Sequence, residues 1–232
     1  MYWQRFLSMF QQNFIEDNRW RFIVNGMRNT LVITFFALLI GLVLGFASAI
    51  VRVTHDTAGT LKPLNSLMKL YVTVIRGTPM ALQLLIIYYV IFANVSIDKV
   101  IAAILGFGFN SGAYLSEIFR AGIMSIDTGQ MEAGRSLGLN YKQAMWRILM
   151  PQAIKNILPA IGNECITLLK ETSIAGYIAV QDLTMGANII RSLTYEAFFP
   201  LVGAALIYLA LVMLLQAVFD MLERRLAKSD RR

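Results

Sequence analysis

The sequence predicts an all-α polytopic membrane protein of about five transmembrane helices, with a loop of two short helices between the third and fourth. Three observations carry that prediction. Of 232 residues, 57% are hydrophobic and only 15% charged, whereas soluble domains carry about 25% charged residues. Uncharged runs of membrane-crossing length recur along the chain. The basic residues gather at the ends of those runs, which is a topology pattern before it is a nucleic-acid one, despite a net charge of +7.

The first run, residues 29–51, holds no charge over 23 positions. At the α-helical rise that is roughly 34 Å, enough to cross a bilayer core. Residues 77–97 give a second run, and 100–116 a third that extends through the apolar residues beyond Glu117. Residues 157–181 form a fourth, interrupted by Glu164, Lys170 and Glu171, and residues 197–219 a fifth. The opening twenty residues are too polar to be a cleavable signal. Residues 1–28 therefore read as an external segment, 29–225 as a single transmembrane domain and 226–232 as a basic cytoplasmic tail. With the N-terminus outside, fourteen Lys and Arg fall on the cytoplasmic side and six outside, so the chain is expected to sit N-out and C-in.

Ala37, Gly41, Gly45 and Ala49 recur every fourth residue in the first span. Small residues on one face let helix backbones approach closely in lipid, within the chain or between subunits. A single cysteine, Cys165, excludes an internal disulfide, and with one histidine, His55, it leaves no metal-binding cluster.

The segment 125–157 is long for a loop in so small a membrane protein. Asp127 or Thr128 can cap a short helix that ends near Gly138, a natural left-handed terminator. Asn140 can cap a second helix, with Gln143 in capping-box position. Tyr141, Ala144, Met145 and Ile148 then share a face, and Pro151 closes or kinks that helix.

Within this segment Glu132-Ala133-Gly134, then Gly138, then Ile148-Leu149-Met150-Pro151 resemble the EAA motif of bacterial ABC importer permeases. The spacing matches from Glu132 to Pro151, with Gly134 in place of the third alanine and Met150 in place of leucine. Other stretches are similar to the polar amino-acid uptake branch: Arg76-Gly77-Thr78-Pro79, Ala113-Tyr114 with Glu117-Ile118, and Gly162-Asn163-Glu164 with Leu168-Leu169-Lys170 and Thr172-Ser173. The resemblance covers about residues 20–225. It implies a bacterial inner-membrane permease that works as a dimer, of identical chains or with a paralogue. It further implies an ABC ATPase subunit docked under each permease, which uses the ATP and magnesium, and a solute-binding protein that delivers an amino acid. Glu132, Ala133, Gly134, Gly138, Ile148 and Pro151 would then form the ATPase-coupling element, with Glu132 as its charged contact.

Charges inside a span are expensive and generally face a cavity or a partner. Lys170 is therefore a candidate for an amino-acid carboxylate, and Glu171 or Glu164 for its ammonium. Thr172, Ser173, Asn110 and Gln83 can add hydrogen bonds. Glu117 and Arg120, three apart, read as a helix-stabilising pair, and the arginines and lysine from Arg224 to Arg232 as a solvated cluster beyond the last span.

No nucleotide-binding glycine loop, zinc-protease motif or nucleophile elbow occurs, so the chain is expected to be neither an ATPase nor another enzyme, and to need no cofactor of its own. Five spans give no even inverted repeat, which weighs against a stand-alone carrier. A mere scaffold has no reason to place Lys170 within a span.

Overall fold

The computed structural model describes residues 2–228, and among them there is no strand. In chain order the helices are α1 (Tyr2–Phe10), α2 (Trp20–Ala58), α3 (Lys62–Gly77), α4 (Met80–Ile86), α5 (Lys99–Met124), α6 (Thr128–Ser136), α7 (Tyr141–Ala144), α8 (Met150–Glu171), α9 (Leu183–Thr194) and α10 (Phe198–Lys228). Wider π turns follow α1 at Gln11–Ile15 and α4 at Ile87–Ile91, and join α7 to α8 at Met145–Leu149. A tighter 3-10 stretch, Thr172–Ile178, continues α8. The basic tail at 229–232, with Arg231 and Arg232, lies outside the described residues; Arg224 and Arg225 are exposed near the end of α10.

Local chemistry explains the breaks. Asp17 and Asn18 adopt positive φ between α1 and α2, a conformation that short polar side chains tolerate best. Thr78 is extended ahead of Pro79, as a residue before proline must be, and this separates α3 from α4. The run 77–97, expected as one span, is therefore helical only over Met80–Ile91. Trp20–Thr57 and Phe198–Leu226 are each long and apolar enough to cross a membrane alone, whereas Lys62–Gly77 and Met80–Ile91 qualify only when taken together. Helices α5 and α8, with 26 and 22 residues, are long enough, but each carries charge along its length, at Glu117 and Arg120 in α5 and at Glu164, Lys170 and Glu171 in α8. Helix α2 starts nine residues before the uncharged run that predicted it.

The described chain divides into two compact units. One comprises Met1–Leu38, Pro79–Gly108 and Thr167–Leu214. Its core gathers Ile33, Leu84, Phe107, Leu168 and Ile178, with a second cluster around Ile23, Leu183, Ala187 and Ile190. Here α9 lies hard against the start of α2. A methyl added at Gly26 would run into the Asp182 carbonyl oxygen, and one at Gly186 into that of Phe22. The fully buried Asp182 caps α9, accepting from the amides of Thr184 at 2.8 Å and Met185 at 3.1 Å. The Thr30 hydroxyl takes the Leu183 amide at 3.1 Å, and the Asn29 side chain donates to the Gln181 carbonyl at 2.9 Å. These bonds stitch backbone groups that lipid could not satisfy.

The other unit comprises Leu39–Thr78, Phe109–Ile166 and Leu215–Arg232. Val53, Ile123, Met150, Ala153 and Ile157 form its core. The small-residue stripe of α2 is used within the chain: Gly41 faces Ser111 and Leu115, and Gly45 faces Leu115 and Ser116 of α5.

Because the atoms facing Gly26 and Gly186 are backbone, they cannot swing aside. Gly26→Ala or Gly186→Ala should each cost about 1–3 kcal/mol from overpacking. Thermal unfolding in detergent, compared with Gly77→Ala, where a methyl meets open space, measures the difference.

Candidate functional site

The segment carrying Glu132 folds as a hairpin whose turns are specified locally. Asp127 starts α6, its Oδ1 accepting from the Gly129 amide at 2.7 Å. The helix ends in a Schellman closure: the Gly138 amide donates to the Arg135 carbonyl at 3.0 Å, and the Leu139 amide to that of Gly134 at 3.2 Å. Gly138 sits at φ +86°, where a Cβ is unwelcome. Asn140 then opens α7 with both halves of a capping box in place. Its Oδ1 accepts from the Gln143 amide, and the Gln143 Oε1 accepts from the Asn140 amide, each at 2.9 Å.

The close of the hairpin depends on Gly134. A methyl there would stand 2.7 Å from the Ile148 Cδ1 and 3.4 Å from the Ala144 Cβ. The departure from alanine at this position thus has a partner fourteen residues away. Glu132 and Ala133 remain exposed, and Leu137 is 84% exposed. A cavity of about 480 Å³ opens beneath the hairpin, lined by Thr57, Ile123, Met131, Glu132, Arg135 and Met145 among others.

Pro151 does not close the second helix. The chain stays helical through it, from Tyr141 to Glu171, by way of the π turn Met145–Leu149. Proline has no amide to donate, and the wider turn immediately ahead of it accommodates that loss. The Gln152 side chain donates to the Ile148 carbonyl at 2.9 Å, satisfying an acceptor in the same stretch. The hairpin is consequently continuous with the helix that bears Glu164, Lys170 and Glu171.

Those charges and their polar neighbours are distributed as follows. Glu164 is half-buried and accepts from the Ser111 hydroxyl at 2.8 Å; Asn110, next to Ser111 on α5, is buried. Lys170 is exposed on the last turn of α8, while Glu171 and Ser173 are half-buried. Thr172 is fully buried and donates to the Leu169 carbonyl at 2.7 Å, so its hydroxyl serves the helix end. Gln83 is buried on α4. Glu164 and Asn110 fall in one compact unit, and Lys170, Glu171, Thr172, Ser173 and Gln83 in the other.

A charge network not assembled from the sequence centres on Glu117. Its Oε1 lies 2.7 Å from the Arg52 guanidinium and 3.8 Å from that of Arg76, and its Oε2 lies 3.2 Å from Arg120. Arg52 is 9% exposed and also reaches the Ser116 hydroxyl at 3.4 Å, which in turn donates to Ser48 at 2.8 Å. The Arg76 guanidinium rests over the Tyr114 ring, 5.2 Å from its centre. The Glu117–Arg120 spacing predicted one of these contacts. Arg52 carried only a topology signal in the sequence, and Arg76 that signal and a family resemblance, because their meeting with Glu117 is set by how α2, α3 and α5 pack.

Residues 38–228 match the family model described as binding-protein-dependent transport system inner membrane component. The arginine transport system permease protein ArtQ of Bacillus subtilis is 40% identical over 211 residues, covering 90% of this chain and 94% of that one. A putative glutamine transport system permease protein, GlnP of Rickettsia bellii, is 38% identical over 210 residues, covering 90% and 94%. The crystal structure of an amino acid ABC transporter with histidines superposes with a TM-score of 0.83 at 39% identity, covering 95% of this chain and 98% of that one.

Glu117→Gln should leave the buried Arg52 facing a neutral group. Breaking a buried pair from one side costs about 3–5 kcal/mol. The more exposed Arg120→Gln should cost about 1 kcal/mol or less, and thermal melts of the two variants side by side will separate them.

Proposed function

This chain belongs to the family of binding-protein-dependent transport system inner membrane components, and from that premise we propose how its hairpin and its buried charges divide the work of transport. It is a permease subunit of an ABC importer for amino acids. An ATPase and a substrate-binding protein are the partners that such a family implies.

The α6–α7 hairpin is the ATPase-coupling element, and it lies on the cytoplasmic side, with the N-terminus outside and the C-terminus inside. The observation that carries this reading is continuity. The exposed, doubly capped hairpin at Glu132–Gly138 runs without a helical break through Pro151 into α8. A groove on the ATPase that grips Glu132, Ala133 and the exposed Leu137 would pull on α8 directly, so nucleotide-driven closure becomes a movement of the helix carrying Glu164 and Lys170. Gly134 and Ile148 keep the hairpin closed so that it moves as one piece. ATP and magnesium belong to the ATPase; the chain itself catalyses nothing. The functional permease pairs with a second permease, and lipid solvates the rest of its apolar surface.

The substrate is a polar amino acid. Relatives named for arginine and for glutamine differ in side-chain charge but share an α-carboxylate and an α-ammonium. Glu164, held by Ser111 with Asn110 alongside, offers an acceptor for the ammonium or for a basic side chain. Lys170 offers a donor for the carboxylate, with Glu171, Ser173 and Gln83 as further polar groups.

Two substitutions separate coupling from substrate binding. Glu132→Lys should abolish co-purification of the ATPase subunit and with it uptake, while circular dichroism stays unchanged. Retention of the ATPase in that variant would remove the hairpin from the mechanism. Glu164→Gln and Lys170→Met should keep the ATPase bound but reduce amino-acid uptake at least about tenfold, the effect of losing roughly 1.4 kcal/mol of recognition. Unchanged uptake in both would make these residues structural.

A further inference from the structure

The N-terminal helix α1 has an apolar face that the described residues leave largely exposed. At helical spacing Tyr2, Trp3, Phe6, Leu7, Met9 and Phe10 fall within less than half of its circumference, and Gln4, Arg5 and Ser8 occupy the rest. None of these residues is buried. Tyr2 is 93% exposed and Trp3 69%, and the Trp3 and Phe6 rings stack at 5.7 Å on the outside of the helix.

The helix is nevertheless held in a defined place. At its root Asn13 is fully buried, donating to the Met9 carbonyl at 2.8 Å and accepting from the Thr194 hydroxyl at 2.9 Å. Phe14 fits against Gly203, where an added methyl would be 3.2 Å from its ring. Phe6 meets Phe199 at 5.1 Å between ring centres. Both Phe199 and Gly203 lie in the first two turns of α10, where polar sequence ending at Glu196 gives way to a helix apolar enough to cross a membrane. Gly203 is only about 7.5 Å along that helix from its first residue. The outward side of α10 here, at Leu201, Val202 and Leu206, is exposed as well.

We propose that α1 is an interfacial anchor, lying in the plane of the membrane surface at the level where α10 enters the bilayer, with its aromatic face in the headgroup–acyl boundary. Three features favour lipid over a protein partner. Tryptophan, tyrosine and phenylalanine are the side chains that settle at that depth. The uncovered face is continuous through Phe6–Phe199 with the uncovered apolar side of α10. The opposite face, with Arg5, suits headgroup phosphates and water.

Nitroxide scanning tests this in the assembled transporter, using Cys165→Ser and cysteine-free partner subunits in phospholipid vesicles. Labels are placed one at a time by Trp3→Cys, Phe6→Cys, Phe10→Cys, Gln4→Cys and Ser8→Cys. Collision rates with oxygen, which concentrates in lipid, and with a water-soluble nickel chelate are then compared. The expected result is an oxygen-to-nickel ratio several-fold higher at positions 3, 6 and 10 than at 4 and 8, following the helical period. Nickel accessibility at all five positions would show a water-exposed face, free to receive the solute-binding protein, and would overturn the proposal. Low accessibility to both reagents at 3, 6 and 10 would place a protein subunit there instead and would overturn it equally. A Gly77→Cys label, at a position with open space around it, checks that labelling leaves the assembly intact.

Discussion

Among the described residues, Glu117 is the carboxylate on which three arginines converge, and much of its compact unit is arranged around that fact. A buried guanidinium such as Arg52 is tolerable in a water-poor interior only when paired and hydrogen-bonded. Arg52 comes from α2, Arg76 from α3, and Glu117 with Arg120 from α5. Satisfying one charge therefore fixes three helices relative to one another. The Ser48–Ser116 bond beside it and the approach of Gly41 and Gly45 to α5 follow from the same alignment. In lipid, where hydrophobic burial between helices gives little drive, polar bonds and close backbone packing of this kind are what remains.

The other unit also uses backbone contact. Gly26 and Gly186 let α2 and α9 touch main chain to main chain, and the buried Asp182 satisfies the amides at the start of α9. Glycine contact is thus common to both units, joined by paired charge in one and by a buried cap in the other. Four of the helices, α2, α5, α8 and α10, contribute to both.

The hairpin that we assign to coupling is legible almost residue by residue, because caps are local. Asp127, Gly138, Asn140 and Gln143 each act through bonds spanning only a few residues; Gly138, Asn140 and Gln143 were expected in the roles they play, and Asp127 as one of two candidate caps with Thr128. Pro151 was less transparent. A proline closes or kinks a regular helix, but the π turn ahead of it keeps this one running, with Met150 and Ala153 beside it packed into the core. The reason for Gly134 was likewise hidden, since Ile148 lies fourteen positions away.

The sequence by itself determined the all-α membrane character, the hairpin and the family resemblance, because hydropathy, caps and motif spacing are properties of the chain read in order. It also marked the charged residues as exceptional within apolar runs. Only the tertiary structure decided which charges meet, how far each helix extends, and where the uncovered apolar faces lie. The run 77–97 became a short helix after Pro79, and the polar opening segment became an amphipathic helix pinned to α10. Those outcomes depend on contacts between residues tens to hundreds of positions apart, such as Asn13 with Thr194 and Arg52 with Glu117. Periodicity reports which face of a helix is apolar; it carries no information about which distant surface that face will find.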